Sequence, residues 1–331
     1  MLTDKVSVII PVYNSEKNII KCINSLMRQS YANFQLVVVN DGSTDSSLSL
    51  INKIAKNDSR IKVINQRNKG VSEARNTGLK NIDSKYVTFV DSDDYVDEDY
   101  LSNLMRGYEY KDIDLVISGI NYMRSGKKTS IKFKEGKYSS RKILNNILKN
   151  NGVMGYLWNK LWRVDVINKL SLTFKKNITI GEDLLFAVEY INNVSNIYLV
   201  NNCNYYHVNM PNSLSKSIEL DQSNHQYKKG FSDMIRVSRK ILYLVSGEDK
   251  LLVKNAKAHI GIIEANYIRR LIKDKSEQEN KKLIGDLQKE NINYLASVLI
   301  GNTIIPFKQR LMYSVTIFAP KLMKVLDEKR K

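Results

Sequence analysis

Cysteine is almost absent. Two occur in 331 residues, Cys22 and Cys203, and no CxxC pair is present. That excludes a disulfide framework and a cysteine zinc site, and it suits a reducing compartment. No run of 18 apolar residues appears, so no membrane-spanning helix is read. Neither GxGxxG nor GxxxxGK[ST] occurs, which leaves a dinucleotide fingerprint and a P-loop unsupported. Gly/Ser-rich and Pro-rich linkers and internal repeats are also missing, so domain boundaries are soft. The first residues run straight into the strand pattern Val6-Ser7-Val8-Ile9-Ile10 without a signal-peptide cleavage site. A cytoplasmic protein is expected.

What is abundant is apolar and basic. The chain is 43% apolar, enough for one large core or two small ones. Its formal charge is +18, which suits anionic partners such as nucleotide phosphates, anionic lipid or nucleic acid. Residues 221–331 hold 22 of the 52 Lys and Arg but only 12 of the 34 Asp and Glu, so the excess concentrates in the last third.

Residues 5–105 alternate strand and helix. Val6–Val12 is a strand, followed by a helix entered at Ser15 with Ile19, Ile20, Ile23, Leu26 and Met27 on one face. Phe34–Asn40 is a second strand, and Asp41–Asp45 turns into a helix around Leu48–Ile54. Ile61–Ile64, a helix capped by Ser72, and the strand Tyr86–Val90 complete the pattern. Near-continuous apolar strands between helices predict an α/β fold with a mostly parallel sheet. Residues 106–220 are less regular: a strand at Leu115–Ile120, a helix at Ser139–Leu148, a helix opened by Gly181-Glu182-Asp183, and a strand-like run over Ile197–Val208. Beyond residue 221 the pattern is helical. The expected division is 1–105, 106–220 and a helical basic region 221–331.

Ligands of open α/β sheets bind beyond the carboxyl ends of the strands. Four polar clusters fall there: Pro11-Val12-Tyr13-Asn14, Asn40-Asp41-Gly42-Ser43, Asn68-Lys69-Gly70 and Asp91-Ser92-Asp93-Asp94. Any one is an ordinary turn, and the acids of the last can equally cap a helix. Together they line a rim. Closely spaced acids at the end of a buried strand need water or a cation, and hard oxygen ligands beside a cleft suit Mg²⁺ or Mn²⁺ holding a diphosphate.

The strings VSVIIPVYNSE, VVVNDGSTDSS, NKGVSEARNTGL, FVDSDDYV, WNKLW and GEDLLF follow one another over roughly residues 4–215. In that order they resemble glycosyltransferase family 2, with the Rossmann-like GT-A fold. The resemblance implies an inverting, UDP-sugar-dependent transferase. It implies that Pro11, Tyr13 and Glu16 form the first nucleotide-binding turn, and that Asp41 meets the uracil edge. Lys69 and Arg75 fall where the family contacts the nucleotide and its phosphates, although the Arg75 fork also suits a structural carboxylate. Asp91, Ser92 and Asp93 form the DxD segment, Asp93 as ligand to Mn²⁺ or Mg²⁺, and Asp94 serves the donor sugar or the surrounding shell. Asp183 corresponds to the catalytic base, and Glu182 beside it to an acceptor contact. His207 corresponds to a residue approaching metal or diphosphate, or is a surface histidine. Trp158 and Lys160 contact acceptor or phosphate, or belong to the core. Asn40 departs from the Asp often found there. His225 and His259 carry no partner signature.

The C-terminal third matches nothing as sharp. Tyr294–Phe307 is apolar, and Leu311–Leu326 mixes apolar residues with Lys and Arg. That composition suits an interfacial helix on anionic lipid, a packing helix, or a homodimer contact. The expected acceptor is a bacterial surface glycan or a lipid-linked oligosaccharide, handled at the inner face of the membrane. The rival readings are a catalytically silent nucleotide-sugar-binding scaffold and a nucleic-acid binder. The latter lacks any recognised module, so no nucleic-acid partner is expected.

Overall fold

A computed structural model describes residues 4–148, 155–208, 226–247, 249–273, 277–300, 306–320 and 322–323. The chain divides into two compact units. The first comprises Met1–Ser140, Gly155–Asn177 and Glu182–Ser213; the second comprises Arg141–Met154, Ile178–Gly181 and Leu214–Lys331. The expected boundary after residue 105 lies inside a helix, Tyr100–Arg106.

The first unit is built on eight strands in the order β3-β2-β1-β4-β10-β6-β11-β9. β1 (Val6–Val12), β2 (Phe34–Asp41), β3 (Ile61–Gln66) and β4 (Tyr86–Phe89) run parallel. β10 (Lys160–Arg163) enters antiparallel between β4 and β6 (Leu115–Ser118), and β11 (Asn196–Val200) and β9 (Gly136–Ser139) close the far side. Every residue of β1 is buried, as expected of a strand covered on both faces. The helices α1 (Ile19–Met27), α2 (Ser47–Ala55) and α3 (Val71–Leu79) supply the crossovers, and α4 (Tyr100–Arg106), α5 (Ser140–Ile147) and α6 (Val164–Lys169) follow along the chain. At Gly78 of α3 an added Cβ would lie 2.5 Å from Ile9 Cγ2, so this helix packs directly on β1.

A second sheet has the order β5-β12-β7-β8, formed by Tyr95–Val96, Tyr205–Val208, Ile120–Arg124 and Lys127–Ile131. Its existence corrects the expected reading of Ile197–Val208 as one strand. β11 and β12 belong to different sheets and are separated by residues 201–204. Alternation alone cannot mark that break, because both halves are apolar. A second correction concerns Ser72. Gly70, with φ 87°, occupies the N-cap of α3, and Ser72 lies buried within the helix.

The second unit is helical, with helices over Gln226–Leu244, Lys250–Lys273, Glu277–Asn291, Leu295–Leu299 and Phe307–Phe318. Ala265, Ile268, Leu271, Val298, Tyr313 and Ile317 contribute to its core. The helix Phe307–Phe318 buries Tyr313, Thr316 and Ile317 and leaves Phe307, Leu311 and Phe318 exposed. Residues 209–225, 301–305 and 324–331, which carry parts of the expected apolar and basic segments, lie outside the described residues.

Candidate functional site

Three parallel strands end in loops that bond to one another. After β1, Asn14 takes φ 48° and its Oδ1 accepts from the Thr44 amide at 2.8 Å. Glu16 Oε2 accepts from the Ser46 amide at 3.0 Å, and the Glu16 amide donates to Asp45 Oδ2 at 3.0 Å. Asp45 Oδ1 also accepts at 2.9 Å from the amide of Ser47, the first residue of α2, whose N-cap position is Ser46. Glu16 thus positions the turn after β2, while Tyr13 is left half exposed beside it. Pro11 is buried within β1.

Asp41 ends β2 and is buried. Its Oδ1 accepts from Gln66 Nε2 at 2.7 Å and from the Lys69 amide at 2.9 Å; its Oδ2 accepts from the Gly70 amide at 2.8 Å. The loop before α3 is therefore wrapped around this carboxylate, with the Lys69 side chain exposed. Gly42, with φ 68°, permits the closeness: a Cβ there would sit 2.6 Å from the Asn68 nitrogen.

The acids after β4 have three separate environments. Asp91 Oδ1 pairs with Arg75 Nη2 at 3.2 Å. Asp94 is fully buried and saturated: Tyr205 OH donates to Oδ2 at 2.7 Å, the Val208 amide to Oδ1 at 2.7 Å, and His207 Nδ1 lies 3.2 Å from Oδ2. Ser92 Oγ is 2.6 Å from Ser15 Oγ, tying this turn to the one after β1. Asp93 takes part in no ion pair among the described residues. Burial, then the neighbouring Asp94 and Asp91, push its carboxyl up to about 7. A cation would relieve that repulsion. Among the described residues no three His, Cys, Asp or Glu side chains are grouped to hold an ion by themselves. One carboxylate suffices where substrate phosphates and water complete the coordination, so Asp93 fits Mg²⁺ or Mn²⁺ as a donor.

Arg75 is the centre of the other half. It is buried on α3, donates from Nη1 to Glu182 Oε1 at 2.8 Å and from Nη2 to Asp91, and lies 5.5 Å over the Phe174 ring. Of the two roles open to it, the structure shows the carboxylate one, with Nε buried and unpartnered among the described residues. Glu182 and Asp183 open α7 (Glu182–Ile191). Glu182 is engaged by Arg75. The Asp183 Oδ1 accepts from the Leu184 amide at 2.7 Å. Burial raises the Asp183 carboxyl above the ordinary range, opposed by Arg75 and Lys160 and assisted by Asp91. Of five acids here, three are spent on Arg75 or on the Tyr205–His207–Val208 group, and Asp93 and Asp183 are not.

Trp158 and Lys160 sit in the wall. Trp158 is buried, stacked on Tyr205 at 4.3 Å, Tyr156 at 4.9 Å and His207 at 5.4 Å between ring centroids. Lys160 is fully buried on β10, with Nζ donating to the Tyr156 carbonyl at 2.5 Å and to Asn159 Oδ1 at 2.7 Å. Burial pulls its ammonium down to about 7, against the attraction of Asp183. Tyr205, Tyr156 and Gln66 were not singled out from the sequence. The strand alternation of Tyr205 and His207 was the available signal for the first.

Residues 7–171 match the sequence model of Glycosyl transferase family 2. Among curated proteins the chain is 34% identical to Glycosyltransferase GlyA of Streptococcus pneumoniae over 195 residues, which is 55% of this chain and 27% of that protein. It is 32% identical to Uncharacterized glycosyltransferase EpsJ of Bacillus subtilis over 216 residues, covering 64% and 63%. The chain thus spans less than two thirds of either relative. Among solved structures, S. aureus TarS 1-349 in complex with UDP-GlcNAc is similar with a TM-score of 0.68 and 22% identity, over 94% of this chain and 87% of that one. The likeness is one of fold and agrees with the GT-A architecture expected.

A pH test follows from Lys160. Its folded-state pKa, about 7, lies below the ordinary lysine value of 10.5. The unfolded chain therefore binds the extra proton between those limits, and this group's penalty is fully present below pH 7 and fades as pH rises toward 10.5. Lys160→Met removes the penalty and leaves two acceptors unsatisfied, a cost that does not titrate. Relative to wild type, the variant should lose roughly 2–4 kcal/mol of stability between pH 6.5 and pH 9.5 in urea denaturation. A stability difference flat across that range would mean the amine is not desolvated.

Proposed function

The chain belongs to glycosyl transferase family 2, and from that premise we propose that it transfers a sugar from a UDP-sugar, with inversion, to a hydroxyl of a bacterial surface glycan or lipid-linked acceptor. The observation that carries the mechanism is the division of labour among the five acids. To the two left uncommitted among the described residues, Asp93 and Asp183, we assign the roles of diphosphate-side ligand and base.

In this reading the uridine lies along the loops after β1 and β2, with Tyr13 against the base and Asp41 holding the loop that receives its edge. UDP and UDP-GlcNAc complexes of the similar S. aureus TarS support that class of donor. Asp93 would hold Mn²⁺ or Mg²⁺, which when bound offsets the charge gathering on the departing diphosphate. The acceptor hydroxyl attacks the anomeric carbon from the side opposite the diphosphate. Its proton passes to Asp183, the new C–O bond forms as the bond to UDP breaks, and the configuration inverts. A carboxyl raised by burial is the stronger base for that step.

We also place the protein at the inner face of the membrane, held by its second unit. No described helix is long and apolar enough to cross a bilayer. Phe307, Leu311 and Phe318, spaced to share one face of the helix Phe307–Phe318, are more than half exposed, and Lys308 and Arg310 flank them.

Asp183→Asn should lower transfer by about two to four orders of magnitude, the usual worth of a general base, while UDP binding survives. Wild-type turnover, or loss of UDP binding instead, would remove Asp183 from this role. UDP should raise the melting temperature in Mn²⁺ and do so much less in EDTA, with Asp93→Ala abolishing the difference. Equal shifts with and without the ion would rule out the assigned ligand. Leu311→Ser combined with Phe318→Ser should keep the fold, since both positions are exposed, and lose pelleting with phosphatidylglycerol vesicles at low salt. Wild-type protein that ignores such vesicles would make the stripe a contact between subunits.

A further inference from the structure

The second sheet carries a cationic pair that neither fold nor chemistry so far requires. β7 and β8 form a hairpin whose turn, Ser125-Gly126, takes φ 48° and 75°. Its closing pair sets Arg124 directly opposite Lys127, both exposed. Like charges placed opposite each other across strands are destabilising, and among the described residues no ion pair relieves these two. Lysine on β8 has a structural motive, because β8 is a sheet edge and charge discourages edge pairing. That motive does not extend to Arg124, which lies on the inner strand.

Register says which way the pair faces. Tyr122 is opposite His207 on one side and Thr129 on the other. Strand alternation then puts Arg124 and Lys127 on the same face as Tyr122, Thr129 and His207. This is the face on which His207 meets Asp94 and stacks on Trp158. Neighbouring strands are about 4.8 Å apart and residues i and i+2 about 6.7 Å apart. The cations therefore lie roughly 8–12 Å from the His207 strand position.

We propose that Arg124 and Lys127 form an acceptor subsite for an acidic glycan, one that carries carboxylate or phosphate groups along its chain. The proposal rests on the glycosyl-transfer reading and specifies the acceptor class within it. Arg supplies a planar fork and Lys a point charge, a combination suited to an anionic group held beside a sugar ring. The like-charge apposition that costs stability in the free protein is relieved when that group binds. The site discriminates against neutral glycans, because with them the repulsion persists.

The test compares Arg124→Gln/Lys127→Gln with Lys281→Gln/Lys282→Gln, which removes the same charge from exposed positions of the second unit. The probes are a heparin hexasaccharide, neutral maltohexaose, a poly-dT 12-mer and phosphatidylglycerol vesicles. The hairpin variant should bind the hexasaccharide about tenfold more weakly at low salt, as expected for two exposed charge contacts, and show a shallower salt dependence. The control variant should bind it like wild type, and maltohexaose should bind none of them measurably. UDP-dependent thermal stabilisation should be unchanged in both variants. Equal losses in both variants would reduce the effect to net charge and overturn the subsite. A hairpin-specific loss confined to poly-dT or to vesicles would assign the surface to nucleic acid or membrane and overturn it too. Absence of UDP binding in wild type would count against the donor reading, and it leaves the glycan comparison standing as a separate result.

Discussion

A buried guanidinium held between two carboxylates is the constraint on which the site depends. Arg75 joins Asp91, at the end of β4, to Glu182, at the start of α7, across sequence separations of 16 and 107 residues. Removing Arg75 would strand two carboxyls without their cation, at a cost on the order of 3–5 kcal/mol, whereas loss of either acid leaves the guanidinium paired with the other. The pair is weak evidence for net stability, since desolvation consumes much of the attraction. Its effect is on position. It fixes where the acidic loop ends and where the first turn of α7 begins, and so where Asp183 stands relative to Asp91. The Phe174 ring beneath the guanidinium, itself stacked on Phe186 of α7 at 4.3 Å, keeps the same elements in register from the apolar side.

A second tie works from the other sheet. Tyr205, His207 and the Val208 amide all bond to Asp94, and Tyr205 OH also accepts from the Asp91 amide at 3.1 Å. Trp158 stacks against the same tyrosine and histidine. Four consecutive residues, Asp91 to Asp94, are thereby given four roles by their surroundings: ion pair, hydroxyl link, solitary raised carboxyl and saturated anchor. Chemistry that needs one carboxylate able to meet a cation and another able to take a proton is arranged by occupying the rest.

Much of this could be read from residue order. The apolar runs of β1, β2 and β4, the turn residues after each, and the carboxyl-end rule together locate the rim without knowledge of any partner. Glu182-Asp183 at a helix start is a local feature, and it stands where local rules put it. What failed were decisions between two local solutions. Ser72 and Gly70 both suit an N-cap, and the positive φ demanded by the turn around Asp41 favours glycine. Ile197–Val208 reads as one strand because two sheets both accept apolar residues, and only pairing partners more than 50 residues away separate β11 from β12.

The sequence by itself determined the alternation of strand and helix, the placement of polar turns at one edge of a parallel sheet, the concentration of positive charge in the last third, and the family. Each follows from short-range periodicity, composition or motif order. Only the tertiary structure decided which acid is spent and which is left, that Lys160 lies dry against a carbonyl, and that Arg124 and Lys127 share a face with His207. Burial and pairing of charge depend on groups distant in the chain, and the energy of an ionised side chain is set by what surrounds it, so no local pattern carries that information.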